Sequence, residues 1–377
     1  MVKILEMFLL KELTEWGERN LDFQFGFSSG IGPEVARQFV FKAIARKLMN
    51  NDGFYVTQID LSCAYNSVNL KLLWELIERE NLWSEEKRQL WRYLVTNSST
   101  QYESTTLREV NGLPQGSLLS PMLFNLYIND VFRQIKDSGA ELVAGYADDL
   151  VFITDSAWQL EKAIQALKSF CQARKLRLNP SKSEVVPFNK RKTWKEFQGI
   201  KIVKSAKYLG VVYDNRLSVK YTLSTFVPKV NYIRYRLRNL RSSSDPRTNY
   251  NLWAVFIAPL IRMAVSVIGE TNSMRARKGF EEIRTASRKH LKSFLMCPSF
   301  APSFIFDELT GASDEHLFEI MRANDAKCTT RRELGAWYGE DPNFINDFDE
   351  DPSYEPRDKI RSFHPEFRAA LAVINRY

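Results

Sequence analysis

Residues 141–154 read ELVAGYADDLVFIT: two adjacent acids set between two apolar runs. No other segment limits the fold so tightly. Unpaired carboxylates beside a buried sheet are costly, and their mutual repulsion raises their pKa. The two runs therefore fold back as a tight hairpin, with Asp148 and Asp149 at its tip.

The flanking sequence supplies the rest of a sheet and its cover. FYVTQIDL (54–61) reads as a strand rich in β-branched and aromatic residues, and it ends on Asp60 and Leu61. EVVPF (184–188) and KYLGVVYD (207–214) read as further strands. Residues 33–49 repeat apolar side chains at Val35, Phe39, Ala43 and Leu48, with Pro33 at the start of a helix. Helices are also predicted over 68–80, over 117–135 after the turn Asn-Gly-Leu-Pro-Gln-Gly, and over 157–174. In the last, Leu160, Ile164, Leu167 and Cys171 share one face, and Asn179-Pro180 breaks the region that follows. The order strand, helices, hairpin, helix, strand fits an α+β layer with helices on one face of an antiparallel sheet. Beyond residue 216 the pattern turns helical. Over 227–241, Val230, Ile233, Leu237 and Leu240 form an apolar stripe, with Arg234, Arg238 and Arg241 along its flank.

Composition removes several classes. A chain of 377 residues with 44% hydrophobic side chains is too apolar for disorder and long enough for two or three domains. Four widely spaced cysteines and three scattered histidines exclude a disulfide scaffold, a short-spaced zinc finger and an HExxH site. Residues 1–10 are interrupted by Lys3 and Glu6 and do not read as a signal peptide. Leu252–Ile268 is the membrane candidate, but Pro259 and Arg262 favour a buried helical hairpin. The net charge of +8 is concentrated: residues 188–207 carry seven Lys/Arg against one acid, and 227–247 carry six against one. Basic zones interleaved with aromatics suit a polyanion such as nucleic acid, though an ordinary solvated surface reads the same way. Residues 340–358, with eight acids and three prolines, read as a loop or linker.

Asp60, Asp148 and Asp149 end or join apolar strands. Carboxylate oxygens favour hard Mg²⁺, which is usually shared with substrate phosphates. Two such ions can activate a 3′-hydroxyl and stabilise a leaving pyrophosphate. A plainer reading also fits: Asp60 caps the next helix and Asp148-Asp149 fill a turn.

Five segments between residues 58 and 214 decide between these readings. QIDLSCAYNSVN (58–69), NGLPQGSLLSPMLFNLYIND (111–130), GYADDLVF (145–152), LRLNPSKSEVV (176–186) and KYLGVVYD (207–214) resemble, in order, motifs of reverse transcriptases. The resemblance is to the non-long-terminal-repeat retrotransposon type, with group II intron-like enzymes as nearest relatives. It implies a right-hand polymerase: partial fingers (1–58), a ferredoxin-like palm (59–215), a helical thumb (216–300) and a C-terminal extension with an acidic linker (301–377). It implies RNA-directed DNA synthesis with two Mg²⁺ ions, Mn²⁺ being a possible substitute. An RNA template, a DNA or RNA primer and dNTPs would be the partners, with no membrane. The location would be intracellular, nuclear or cytoplasmic, and Lys190-Arg191-Lys192 is as good a template-binding run as an import signal. By the same resemblance, Asp60, Asp148 and Asp149 are the catalytic carboxylates, and the Leu61 carbonyl helps hold the ions. Tyr65 is the gate against a 2′-hydroxyl, Gln115 and Gly116 line the nucleotide and template site, and Lys182 approaches the triphosphate. Arg234, Arg238 and Arg241 would grip phosphates.

The pattern also departs from the family. FQFGFSSGIGPEVARQF (23–39) resembles the last fingers segment, but Ser28 stands where an Arg is common. Earlier fingers strands are not recognised, and Asn66 replaces a frequent second Asp. The chain is therefore expected to be the core of a longer retroelement protein or a shortened descendant. The rival expectation is a catalytically silent remnant that binds nucleic acid. An RNA-dependent RNA polymerase is disfavoured by Tyr65 and Ala147.

Overall fold

The computed structural model describes residues 2–260 except 22, 29, 97–98, 103–104, 109–111, 191–194 and 238–245, with isolated positions beyond 260. Arg238, Arg241, most of the Lys190–Lys192 run, the acidic stretch 340–358 and the whole extension 301–377 lie outside the described residues.

The chain opens with helices α1 (Val2–Asn20) and α2 (Pro33–Met49), then strands β1 (Phe54–Ile59) and β2 (Leu61–Ser62). A 3₁₀ turn (Tyr65–Ser67) leads to α3 (Leu70–Arg79) and α4 (Glu85–Thr96), then the hairpin β3 (Ser99–Tyr102) and β4 (Thr105–Arg108). Next come α5 (Ser120–Asp137), β5 (Leu142–Tyr146), β6 (Asp149–Thr154) and α6 (Ala157–Ala173). Strands β7 (Arg177–Leu178), β8 (Glu184–Phe188), β9 (Glu196–Phe197), β10 (Ile200–Ile202), β11 (Ser205–Tyr208) and β12 (Val211–Asp214) follow. Helix α7 (Val219–Arg236) and a helix over Pro246–Phe256 complete the described elements.

Local chemistry sets the helix starts. Pro33 at the first turn of α2 has no N–H to leave unpaired. The Asn69 side chain accepts from the Leu72 N–H and caps α3. Ser156 and Gln159 cap α6 reciprocally. Each such cap contributes about 1 kcal/mol.

The principal sheet has the order β5-β6-β1-β8-β10-β9. Its pairs are antiparallel except β8 with β10, which is parallel. The central strand β1 alternates its side chains between two cores. Tyr55 and Ile59, with Val143, Leu150, Phe152 and Val185, pack beneath α1, α3, α5 and α6. Phe54 and Val56, with Leu142, Ala144, Val151, Ile153, Val186 and Phe188, pack on the opposite side. There they meet Phe39, Phe41 and Ile44 of α2 and Tyr208 and Tyr213 of β11 and β12. The expectation of helices on one face alone is thus corrected. These strands are apolar at both parities, so each face needs its own cover. Burying each Phe, Leu or Ile contributes about 1.5–3 kcal/mol, so neither face could stay wet.

Two further expectations change. The strand predicted over 54–61 breaks at Asp60, and Leu61–Ser62 pairs instead with Arg177–Leu178 in a separate ladder. Helix α7 starts at Val219, eight residues before the predicted start, and is anchored by buried Leu223, Phe226 and Val230. Ile233 and Leu237, expected in the stripe, are only half-buried. Among the described residues no helix is long and apolar enough to cross a membrane.

Candidate active site

The end of the sheet brings together acids that lie 88 residues apart in sequence. The β1–β6 register pairs Ile59 with Leu150, so Asp60 emerges next to Asp149. Tyr146 pairs with Asp149 across the β5–β6 hairpin, leaving Ala147 and Asp148 as its two-residue turn. Ala147 has φ +56°, the left-handed region that glycine takes freely and alanine does not.

The two acidic positions are supported differently. The Asn179 side-chain amide donates to Asp60 Oδ2 at 2.8 Å, and the Asn179 backbone N–H donates to the Asp60 carbonyl at 2.9 Å. The Asp60 N–H donates to Ser183 Oγ at 3.1 Å, and that hydroxyl donates to the Asn179 carbonyl at 2.8 Å. Lys182 Nζ stands 4.0 Å from Asp60 Oδ2 and is largely exposed, so its charge is well screened. Asp60 therefore caps no helix; the loop 179–183 clasps it. No hydrogen bond reaches the Asp148 or Asp149 carboxylate from the described residues.

The electrostatics match. The Asp149 carboxyl is pushed up to about 6, first by partial desolvation and then by the negative charges of Asp148 and Asp60. The residue as a whole still keeps solvent contact. Such uncompensated charge suits a hard divalent cation. Among the described residues, no three His, Cys, Asp or Glu side chains group closely enough to enclose an ion by themselves.

Tyr65 and Tyr208 flank the acids on opposite sides. The Tyr65 ring stacks on Phe124 of α5, with centroids 4.8 Å apart and planes at 20°. Burial and the nearby Asp148 charge push its hydroxyl up to about 12, so it stays neutral. Tyr208, buried in β11, feels Asp149 in the same direction. The turn between β11 and β12 has positive φ at both Leu209 and Gly210, and Arg37 of α2 donates to the Leu209 carbonyl at 2.9 Å.

The other sequence-predicted residues are placed as follows. Leu61 is buried directly after Asp60. Gln115 and Gly116 are exposed in the turn before α5, and Gly116 has φ +86°. That turn is tied to the Tyr65 turn: the Leu113 N–H donates to the Tyr65 carbonyl at 2.9 Å. A Cβ at Gly112 would stand 2.8 Å from Asn66 Cα, so only glycine allows this approach. Lys182 lies by Asp60. Arg234 is half-buried on α7 and away from these contacts, whereas Lys229, Tyr232, Tyr235 and Arg236 are exposed. Sequence reasoning missed Asn179, Ser183 and Gln24. Asn179 reads as a helix breaker next to Pro180, and nothing in a periodicity shows that its amide turns back to an acid more than a hundred residues earlier.

Comparison with known proteins gives the site its context. Residues 1–213 match the family described as reverse transcriptase (RNA-dependent DNA polymerase). The chain belongs to the reverse transcriptase family. Within that family it is 27% identical over 271 residues to the "Retrovirus-related Pol polyprotein from type-1 retrotransposable element R2" of Nasonia vitripennis, covering 65% of this chain and 26% of that protein. It is 28% identical over 315 residues to the "RNA-directed DNA polymerase from mobile element jockey" of Drosophila funebris, covering 73% of this chain and 32% of that protein. The chain thus spans about a quarter to a third of the length of these relatives. Among solved structures, apo telomerase from Candida tropicalis aligns with a TM-score of 0.47 at 13% identity, covering 92% of this chain and 61% of that one. The non-long-terminal-repeat type expected from the motifs is the type these sequence relatives represent. Reverse transcriptases depend on divalent metal ions.

Proposed function

We propose that this chain is the polymerase core of a retroelement protein and extends a primer with dNTPs on an RNA template. One observation carries the reading: the register of β1, β5 and β6 sets Asp60 beside a turn bearing Asp148 and Asp149. Their crowding leaves charge for cations to neutralise, and it falls within the segment matched to the family.

In this reading Asp60, Asp148, Asp149 and the Leu61 carbonyl hold two Mg²⁺ ions, with Mn²⁺ able to substitute. When bound, the ions lower the pKa of a primer 3′-hydroxyl and stabilise charge on the departing pyrophosphate. Asn179 keeps the Asp60 carboxylate turned toward its neighbours. Tyr65, fixed by Phe124 and uncharged, presents a flat wall where a ribose 2′-hydroxyl would clash. Gln115 and Gly116 offer an open backbone to the template–nucleotide pair. Lys182, on its exposed loop, approaches the triphosphate as a mobile counter-charge. Positioning and electrostatics then supply most of the acceleration. Residues 1–58 serve as part of the fingers, 59–215 as the palm and 216–300 as the thumb. Along α7 the exposed Lys229, Tyr232 and Arg236, with Arg234 beside them, meet phosphates and bases. Arg236 already lies 5.9 Å over the Tyr232 ring.

The test is primer extension on matched RNA and DNA templates with dNTPs or rNTPs. Extension with dNTPs on RNA, quenched by EDTA, is the expected result. Salt-sensitive RNA binding without any incorporation would contradict it and favour the silent remnant. Preference for rNTPs would point to an RNA polymerase.

A further inference from the structure

The turn that carries Asp148 has an unusual support, and it comes from the far end of the chain. Segment 23–25 lies alongside β5: the Phe25 N–H donates to the Gly145 carbonyl and the Gly145 N–H donates to the Phe23 carbonyl, each at 2.8 Å. This sets the fully buried Gln24 against the hairpin tip. Its carboxamide reads both backbone groups of Ala147. Oε1 accepts from the Ala147 N–H at 2.8 Å, and Nε2 donates to the Ala147 carbonyl at 3.1 Å. Oε1 also accepts from the Gly26 N–H at 2.9 Å.

The surroundings are shaped around that amide. A Cβ at Gly26 would lie 2.5 Å from the Ala147 nitrogen, closer than side chains tolerate. A Cβ at Gly145 would strike the Phe132 ring at 2.5 Å and crowd Gln24 Nε2 at 3.2 Å. Buried Asn125 of α5 donates to the Gly26 carbonyl at 2.8 Å, which ties the segment to the helix on the other side. Ala147 meanwhile holds φ +56° without being glycine. A left-handed alanine persists only where its surroundings over-determine it.

We propose that Gln24 is a positioning residue for nucleotidyl transfer: its carboxamide locks Ala147 in the left-handed turn and so fixes where Asp148 presents its carboxylate. This rests on the polymerase reading above for its consequence, but not for its geometry. Gln24 touches no reacting atom. Neither Asp148 nor Asp149 receives a side-chain hydrogen bond from the described residues, so the backbone of the turn is what aims them.

The test uses Gln24→Leu, which keeps similar bulk and removes the amide, and Ala147→Gly, which takes the same φ without strain. Hydrogen exchange is measured first on the metal-free chain. In Gln24→Leu the peptide over 144–150 is expected to exchange at least about tenfold faster, with peptides from α6 and β8 unchanged. Primer extension by Gln24→Leu is expected to fall at least about tenfold in kcat with the KM for dNTP little changed. Adding Ala147→Gly to Gln24→Leu is expected to restore at least about threefold, because glycine no longer needs the lock. A general folding defect would not be rescued this way. Unchanged exchange at 144–150 in folded Gln24→Leu would overturn the proposal, as would loss of protection throughout the sheet or a failure of Ala147→Gly to rescue. If Gln24→Leu does not fold, Gln24→Met replaces it: it keeps the length of the side chain, adds no charge and removes the amide donor and acceptor, and the same local signature is required. An inactive wild-type chain with the expected exchange pattern would refute the polymerase reading and leave the lock established.

Discussion

Asp60 and the Asp148–Asp149 pair share one end of the sheet but are held by opposite means. Asp60 is gripped at its side chain by Asn179 and at its backbone by Ser183 and Asn179. The hairpin acids have no grip on their carboxylates among the described residues; the turn beneath them is gripped at Ala147. A side-chain hydrogen bond to an ionised acid is charge-assisted and stabilises the charged form. A backbone lock leaves the acid free to take on new ligands but also leaves its charge uncompensated. Asp149 is pushed up to about 6, first by desolvation and then by the charges of Asp148 and Asp60, which no hydrogen bond on its carboxylate offsets. The difference teaches that this site sets a carboxylate held by hydrogen bonds beside a pair that the described residues hold through the backbone of its turn.

The comparison can be broken from either side. Asn179→Leu removes the grip on Asp60 alone. Incorporation is expected to drop about ten- to hundredfold, with partial recovery at higher Mg²⁺, while exchange at 144–150 stays as in wild type. Altered exchange at the hairpin would show that the two supports are one. Tyr65→Ala sharpens the nucleotide side of the same contrast. Discrimination against rNTPs is expected to fall about ten- to hundredfold as the stacked wall is lost, with dNTP incorporation less affected. Unchanged discrimination in steady-state competition would remove Tyr65 from the gate.

Asp149→Asn probes the uncompensated charge. A carboxyl raised above its ordinary value binds its proton more tightly in the folded chain than in the unfolded one. Its ionisation therefore opposes folding increasingly as pH rises from about 4 toward 6, and the cost is fully present above that. In metal-free buffer, Asp149→Asn is expected to raise Tm by about 2 °C at pH 7.5 and to leave it unchanged at pH 4. Added Mg²⁺ should narrow the gap by stabilising wild type more. A gain in Tm at pH 4 would show an effect other than charge. Lys182→Gln is the smallest change. An exposed pair at 4.0 Å contributes about 0.2–1 kcal/mol, so Tm should hardly move and only the KM for dNTP should rise, by about two- to fivefold.

These expectations also mark what the sequence could and could not tell. The hairpin was legible because two acids inside an apolar stretch leave few alternatives. Helices α2, α5 and α6 were legible from apolar spacing, from Pro33 and from the turn that precedes α5. The second covered face was not read, because β1 and β6 are apolar at both parities and a run of that kind does not announce which element covers which side. The break at Asp60 was missed because β-branched content says nothing of where a ladder changes partner. Asn179 and Gln24 were hidden for a related reason. A buried amide acts through a hydrogen bond to a distant backbone or acid, and no local pattern records its partner. The motifs located the acids; what holds the acids came from loops that look like punctuation.

The central claim is that these three carboxylates support RNA-templated DNA synthesis, and one comparison tests it directly. Single-turnover dNTP incorporation on an RNA template is measured for the chain and for Asp148→Asn, with folding of both checked by circular dichroism. The account predicts Mg²⁺-dependent incorporation by the wild-type chain and a loss of at least about three orders of magnitude in the equally folded variant. Incorporation that survives in Asp148→Asn within tenfold of wild type would contradict it.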